Sequence, residues 1–196
     1  MIEKVKNIMK KEETYEQKKR RLFGRFHRLD DYLGELNHLI KHRVTKQEIM
    51  SIIDSDLFLE SNRKYSWNSK LFQTIDFSNK ALLLDILRQN ISRWDMPYIL
   101  YTVDSKDCGC VCLSSLDDFN WMYNMHDTHG GLIDFIRIDH RESICLDWDW
   151  DTQELDIEIQ TSVISVSPND RSILKSVESD LFREMRKVYW RKEYGQ

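Results

Sequence analysis

Ile144-Cys-Leu-Asp-Trp-Asp-Trp-Asp-Thr-Gln-Glu-Leu-Asp-Ile-Glu-Ile-Gln160 carries the clearest structural signal in the chain. Side chains on a strand point to alternate faces, so apolar residues at every second position mark a half-buried strand. Ile144, Leu146, Trp148 and Trp150 fall on one face, and Cys145, Asp147, Asp149 and Asp151 on the other. The alternation resumes out of step with Leu155, Ile157 and Ile159 against Glu154, Asp156, Glu158 and Gln160. A turn near Asp151–Glu154 therefore predicts a hairpin with one apolar face, including both tryptophans as core, and one carboxylate face. From Glu142 through Asp170 there are eight acids and no Lys or Arg.

Other strands are expected on the N-terminal side of this hairpin. Tyr98–Val103 and Gly109–Leu113 are rich in branched and aromatic residues, separated by a turn at Asp104–Asp107. Leu132–Ile138, apolar on both sides at its start, suits a central strand. Helices are expected at Asn79–Ile91, capped by Ser78, and after the cap-like Ser167-Pro168-Asn169-Asp170, where Leu174, Val177, Leu181, Met185 and Val188 form a stripe. Ser114 to Asp118 reads as a further helix start, with Phe119, Trp121, Met122 and Met125 as its contact surface. Thr45 and Glu48 match a capping box that predicts a short helix through Ile49, Met50, Ile52 and Ile53. Between Asp54 and Asp76 the pattern is irregular, which predicts a loop with some extended structure.

The first 43 residues read as helical, with apolar sets Ile2, Val5, Ile8, Met9 and Leu29, Tyr32, Leu33, Leu36, Leu39, Ile40. Lys18-Lys19-Arg20-Arg21, with Arg25 and Arg28, forms a basic patch on them. The predicted fold class is α+β: a mostly antiparallel sheet of about five strands packed by helices. Residues 1–53 are expected to form a helical arm or subdomain, and 54–196 the α+β domain.

Composition narrows the function classes. The 196 residues include 41% apolar and 32% charged residues, enough for both a core and a solvated surface. No run approaches the ~20 apolar residues needed to span a bilayer, and the N-terminus lacks a signal-peptide core. A cytoplasmic chain without membrane association is expected, with Cys108, Cys110, Cys112 and Cys145 reduced. The net charge of −4 hides an asymmetry: residues 1–50 carry thirteen Lys or Arg against eight acids.

Several site chemistries can be weighed on the residues. Asp147, Asp149, Asp151 and Glu158 match the first, third, fifth and twelfth positions of a calcium loop, but Thr152 replaces the required glycine and the flanks are strands. The same carboxylates could hold magnesium in a metal-dependent hydrolase or nuclease, although no Lys or His in the run offers a general base. Cys108, Cys110 and Cys112 with His126 and His129 invite a zinc reading, yet the spacing is not a finger pattern and buried apolar cysteines are simpler. Cys–His nucleophilic pairs with His126, His129 or His140 lack any surrounding signature. No phosphate loop, nucleophile elbow or zinc-protease helix motif is present. No cofactor or metal is therefore expected.

Asp147-Trp148-Asp149-Trp150-Asp151, the acids Glu154, Asp156 and Glu158, and the acidic Ser115-Leu116-Asp117-Asp118 together resemble bacterial immunity proteins of the contact-dependent or polymorphic-toxin type. The likeness is one of style and spans roughly residues 98–190. It implies a stoichiometric inhibitor that occludes a cognate toxin, with the acidic ribbon standing in for the phosphate backbone a basic nuclease would hold. The implied partner-binding residues are Asp147, Asp149, Asp151, Glu154, Asp156, Glu158, Trp150, Asp117 and Asp118, with a basic toxin domain as partner and nucleic acid not expected. Two alternatives stand beside this reading: the carboxylate-metal hydrolase, and a regulator touching nucleic acid through its basic N-terminal helices.

Overall fold

Alternation in the acidic segment is realised as two long paired strands. In this computed structural model, which describes residues 12–163, β5 and β6 of the sheet span Glu142–Asp149 and Glu154–Val163. Ile144 lies opposite Ile159, Leu146 opposite Ile157 and Trp148 opposite Leu155. Trp150 to Gln153 form the connection, closed by Gln153 N–H donating to the Asp149 carbonyl at 2.9 Å.

The sheet is antiparallel throughout and has six strands in the order β1-β6-β5-β4-β2-β3. β2 (Tyr98–Thr102), β3 (Val111–Leu113) and β4 (Ile133–Arg137) fall where expected. The strand beyond the expected five is β1 (Ser66–Asp76), which pairs along nearly all of β6. It lies in the stretch expected to be a loop. A register shift between Ser69 and Leu71 breaks its alternation, and one face is solvent-exposed, so its period-two signal is faint.

The same stretch holds α3 (Ile52–Asn62), capped by Ser51, whose Oγ accepts the Asp54 N–H at 3.1 Å. Glu48 does reach back to the Thr45 N–H, at 2.7 Å. That box closes a single turn rather than starting a helix. Ile49 instead makes an isolated bridge to Val111, and Met50 N–H donates to the Cys110 carbonyl at 2.8 Å. Gly109 permits this crossing: its φ is 104°, and a Cβ there would sit 2.1 Å from the Met50 carbonyl oxygen.

The remaining helices are α1 (Tyr15–His27), α2 (Leu29–Leu39), α4 (Lys80–Asn90) and α5 (Ser105–Cys108), the last replacing an expected turn. Asn79, not Ser78, caps α4, accepting the Leu82 N–H. No helix among the described residues is long and apolar enough to cross a membrane.

One face of the sheet is covered along its length. Leu155, Ile157, Ile144, Leu146, Phe135, Tyr98, Leu100 and Val111 meet Tyr32, Leu36 and Leu39 of α2 and Leu83, Ile86 and Leu87 of α4. Residues expected to form a helical arm thus enter this core through α2. The cover is completed by Phe119, Trp121, Tyr123 and Met125, all buried, while Met122 is 67% exposed. A helix was the expectation for this segment. The segment is instead irregular and buried at every second position. A turn at Trp121–Met122 is closed by the Tyr123 N–H donating to the Asn120 carbonyl at 2.9 Å, with 3-10 turns at Leu116–Asp118 and Met125–Asp127 on either side.

Among the described residues the opposite face is covered only in part. Phe58 and Leu59 of α3 pack on Ile99, Cys110, Cys112, Ile136 and Ile138, over the β4-β2-β3 end. The expected stripe at Ile2–Met9 and the helix expected after Ser167 lie outside the described residues.

Candidate functional site

Because α3 stops at the β4-β2-β3 end, the outward positions of β5, β6 and β1 lack its apolar cover. They hold Asp147 and Asp149 on β5, Glu154, Asp156 and Glu158 on β6, and Phe72, Thr74 and Asp76 on β1. Register sets Asp147 directly opposite Asp156, and Asp149 opposite Glu154. Like charges directly opposed across a ladder repel, and each such pair costs a few tenths of a kcal/mol to about 1 kcal/mol. Among the described residues no Lys or Arg relieves them; ion pairs form elsewhere, as in Arg20–Asp56, Arg21–Glu13 and Arg137–Glu142. The first two tie part of the N-terminal basic patch to α3 and to Glu13.

The acids differ in what they do. Asp147 is exposed. Asp149 accepts the N–H groups of Asp151 and Thr152 at 2.8 and 3.3 Å, which hold the turn and keep its carboxyl below the usual range. Asp156 accepts from the Thr74 hydroxyl, and Glu158 from Gln160 Nε2. At the inner edge, Asp134 of β4 lies opposite Cys145. Burial pushes the Asp134 carboxyl up, and the nearby Asp147 and Glu158 charges push the same way.

Two expectations need correction. Trp150 is not core: it lies in the turn past the end of β5, where alternation stops, and is 49% exposed. Trp148 stays half-buried. Asp117 and Asp118 do not join the acidic face. They belong to the Leu116–Asp118 turn that covers the other side of the sheet, where Asp117 accepts the Trp94 indole N–H at 2.7 Å and Asp118 the Ser114 N–H at 3.0 Å.

The cysteines form no metal site among the described residues. Cys110 and Cys112 share the buried face under α3, and Cys108 is in α5. Burial pushes the Cys108 and Cys110 thiols up to about 12, and that of Cys145 higher, so these sulfurs are poor nucleophiles at neutral pH. His140 is sandwiched between Phe58 and Tyr65, with ring centroids 4.5 and 4.9 Å away.

His129 has different partners from those its sequence neighbours suggest. Its Nδ1 lies 2.7 Å from Asp104 Oδ2, and its backbone N–H donates to Glu35 Oε1 at 3.0 Å. Glu35 Oε2 also accepts from the Thr102 hydroxyl. Among the described residues this is the one group of three His, Cys, Asp or Glu side chains placed to share a metal ion. The acids Asp147, Asp149, Asp151 and Glu158 do not converge in that way. Burial pushes the Glu35 carboxyl up, opposed by the His129 N–H. The hydrogen bonds of the cluster tie His129 to Glu35 of α2 and to Asp104. Glu35 and His129 are 94 positions apart, and no local spacing in the sequence signals their meeting.

A second feature is a cleft of about 430 Å³ on the covered side of the sheet, at the tip of the β5–β6 hairpin. Phe77, Lys80, Met122, Tyr123, Trp148 and Trp150 are among its walls. Lys80 Nζ, Tyr123 Oη and Trp148 Nε1 of these residues are buried without a hydrogen-bond partner among the described residues. Each such orphan costs about 1–3 kcal/mol. Sequence reading noted the tryptophans but not Lys80 or Tyr123.

Fold and surface together define a small α+β protein with an acidic sheet face and a cleft of mixed polar and aromatic lining. The chain matches no family model, no curated protein and no solved structure.

Proposed function

We propose that this protein is a binding protein whose acidic sheet face docks a basic surface on another protein, in the manner of an immunity protein that neutralises a toxin. The observation that carries this reading is the cross-strand opposition of Asp147 to Asp156 and Asp149 to Glu154, with no cation among the described residues to offset it. Such an arrangement weakens the free protein. It gains value when Lys and Arg from a partner enter the field, speeding encounter and fixing orientation. Phe72 on β1, 62% exposed and opposite Glu158, supplies an aromatic anchor within the charged surface.

The two alternatives are less well supported by the geometry. A carboxylate-bound metal ion at Asp147, Asp149, Asp151 and Glu158 needs side chains that converge, and Asp149 is already committed to its turn. The nucleic-acid reading loses Arg20 and Arg21 to ion pairs with Asp56 and Glu13.

The test compares the native chain with Asp147→Lys/Glu158→Lys, a pair that spares the turn carboxylate of Asp149. Both are used as affinity bait in cells of the source organism. A basic protein retained by the native chain, released by added salt and lost from the reversed variant is the expected result. The reading also expects expression of the native chain, and not the variant, to protect cells from that protein's toxicity. Equal retention or equal protection by the charge-reversed chain would remove the basis for the proposal.

A further inference from the structure

The cleft at the hairpin tip has a donor excess that its own residues do not answer. The Lys80 ammonium and the Trp148 indole N–H can only donate, and the Tyr123 hydroxyl, pushed well up by burial, stays protonated and able to donate. Tyr123 is 2% exposed, so its side chain is held in a fixed position in the cleft wall. Lys80 Nζ lies over the Phe77 ring and 4.8 Å from the Tyr123 centroid, a cation held by aromatic faces rather than by a carboxylate. Asp76 is the one acid on the cleft wall, and its carboxylate accepts the Ser78 N–H at 2.8 Å. Lys80 is also the first residue of α4, whose positive end faces the same space.

The apolar part of the lining is largely aromatic. Trp148 meets Phe77 edge-on at 5.1 Å, and Trp150 and Met122 stand exposed at the mouth. Pockets of about 300–1,000 Å³ with a few placed polar groups suit small organic ligands.

We infer that this cleft binds a small aromatic carboxylate, its carboxylate oxygens accepting from Lys80, Tyr123 and Trp148 and its ring lying among Phe77, Trp148 and Trp150. Two carboxylate oxygens offer about four acceptor positions, enough for the three donors. A phosphate dianion would bring more charge than one ammonium can neutralise, beside the aromatic faces of Phe77, Trp148 and Trp150. The cleft meets the acidic face only at Asp76, and its test uses Lys80 and Tyr123 whereas that of the docking surface uses Asp147 and Glu158, so the two tests are distinguishable.

Calorimetric titration of the full chain with phenylacetate tests it, with the Trp148 indole N–H resonance followed in labelled protein. Saturable one-to-one binding that shifts this resonance is expected. Phenylacetamide, which keeps the shape and lacks the charge, binds at least about tenfold more weakly, and inorganic phosphate does not compete. Lys80→Met keeps the length and apolar contacts of the side chain and weakens phenylacetate binding about tenfold or more, with Tyr123→Phe causing a smaller loss. The inference is overturned by any of three results: no saturable binding at about 10 mM phenylacetate, equal binding of the amide or tighter binding of phosphate, or unchanged affinity in a Lys80→Met protein that melts as cooperatively as the native one.

Discussion

His140 shows how much one side chain can be asked to do. It takes a left-handed φ of 55°, is 4% exposed, and stacks between two rings. Its Nε2 lies 2.8 Å from Ser61 Oγ and its Nδ1 3.0 Å from Asn62 Oδ1. Nδ1 donates to Asn62 Oδ1, while the Ser61 hydroxyl beside Nε2 also has the Phe58 carbonyl 2.8 Å away for its one proton. Burial lowers its pKa from 6.5 to about 4, outweighing the Asp139 charge that raises it. Between those values the unfolded chain binds the extra proton, so stability rises with pH through the window. The contribution is complete above about pH 6.5 and fades as pH falls toward 4, an amplitude of about 3 kcal/mol. Urea melts across this range should show that slope. His140→Asn, which tolerates the left-handed backbone, should flatten it while lowering stability overall. Lys80 provides the alkaline counterpart: burial lowers its pKa from 10.5 to about 8, so stability should climb with pH between those values. Lys80→Met should abolish that climb, and it should melt higher than the native protein at neutral pH because a buried orphan ammonium is gone.

At the scale of elements, α1 is held by close backbone contact. A Cβ on Gly24 would stand 2.0 Å from the Asp107 carbonyl oxygen in α5. Backbone cannot yield as a flexible side chain does, so Gly24→Ala should force α1 away from α5 and cost about 1–3 kcal/mol. Faster amide exchange throughout Tyr15–His27, with the sheet still protected, is the signature to look for. If that exchange is unchanged, α1 is not seated by this contact. Neither this seat nor its partner was legible in the sequence, since Gly24 falls inside a helical pattern that never names what it packs against. Elements whose periodicity faces a single core were legible: the hairpin, β2, β3, β4 and α4 all announce themselves. β1 did not, because its bulge interrupts the period. The Phe119–Met125 segment did not either, because aromatic residues two apart, without a paired strand, mimic a helix contact set. The site was half legible. Asp147, Asp149, Glu154, Asp156 and Glu158 were placed on one face from spacing alone, while Asp151, expected with them, lies in the turn past the end of β5. The cleft joins Lys80, Tyr123 and Trp148 from three separate segments, and only folding brings them together.

At the scale of the whole molecule, the sheet separates two chemistries. One face is filled with hydrocarbon by α2, α4 and the aromatic segment Phe119–Met125. The other is sealed by α3 at one end and carries opposed carboxylates at the other. A chain selected for stability alone would not keep Asp147 facing Asp156, so this arrangement should behave as a stability sacrifice for binding. Asp147→Asn and Asp156→Asn should each stabilise the free protein by about 0.2–1 kcal/mol. The pair should sum to less than the two single gains, since either change alone already removes the mutual repulsion. Added salt should raise the melting temperature of the native chain more than that of the double variant, because only the native face has repulsion left to screen. The same variants should associate more slowly with a basic partner, with the loss concentrated in the on-rate and shrinking as ionic strength rises. Thermal melts over a salt series, set beside association rates over the same series, separate the possibilities. If neutralising Asp147 and Asp156 leaves both stability and association unmoved, the acids are ordinary solvated residues and the face has no electrostatic role.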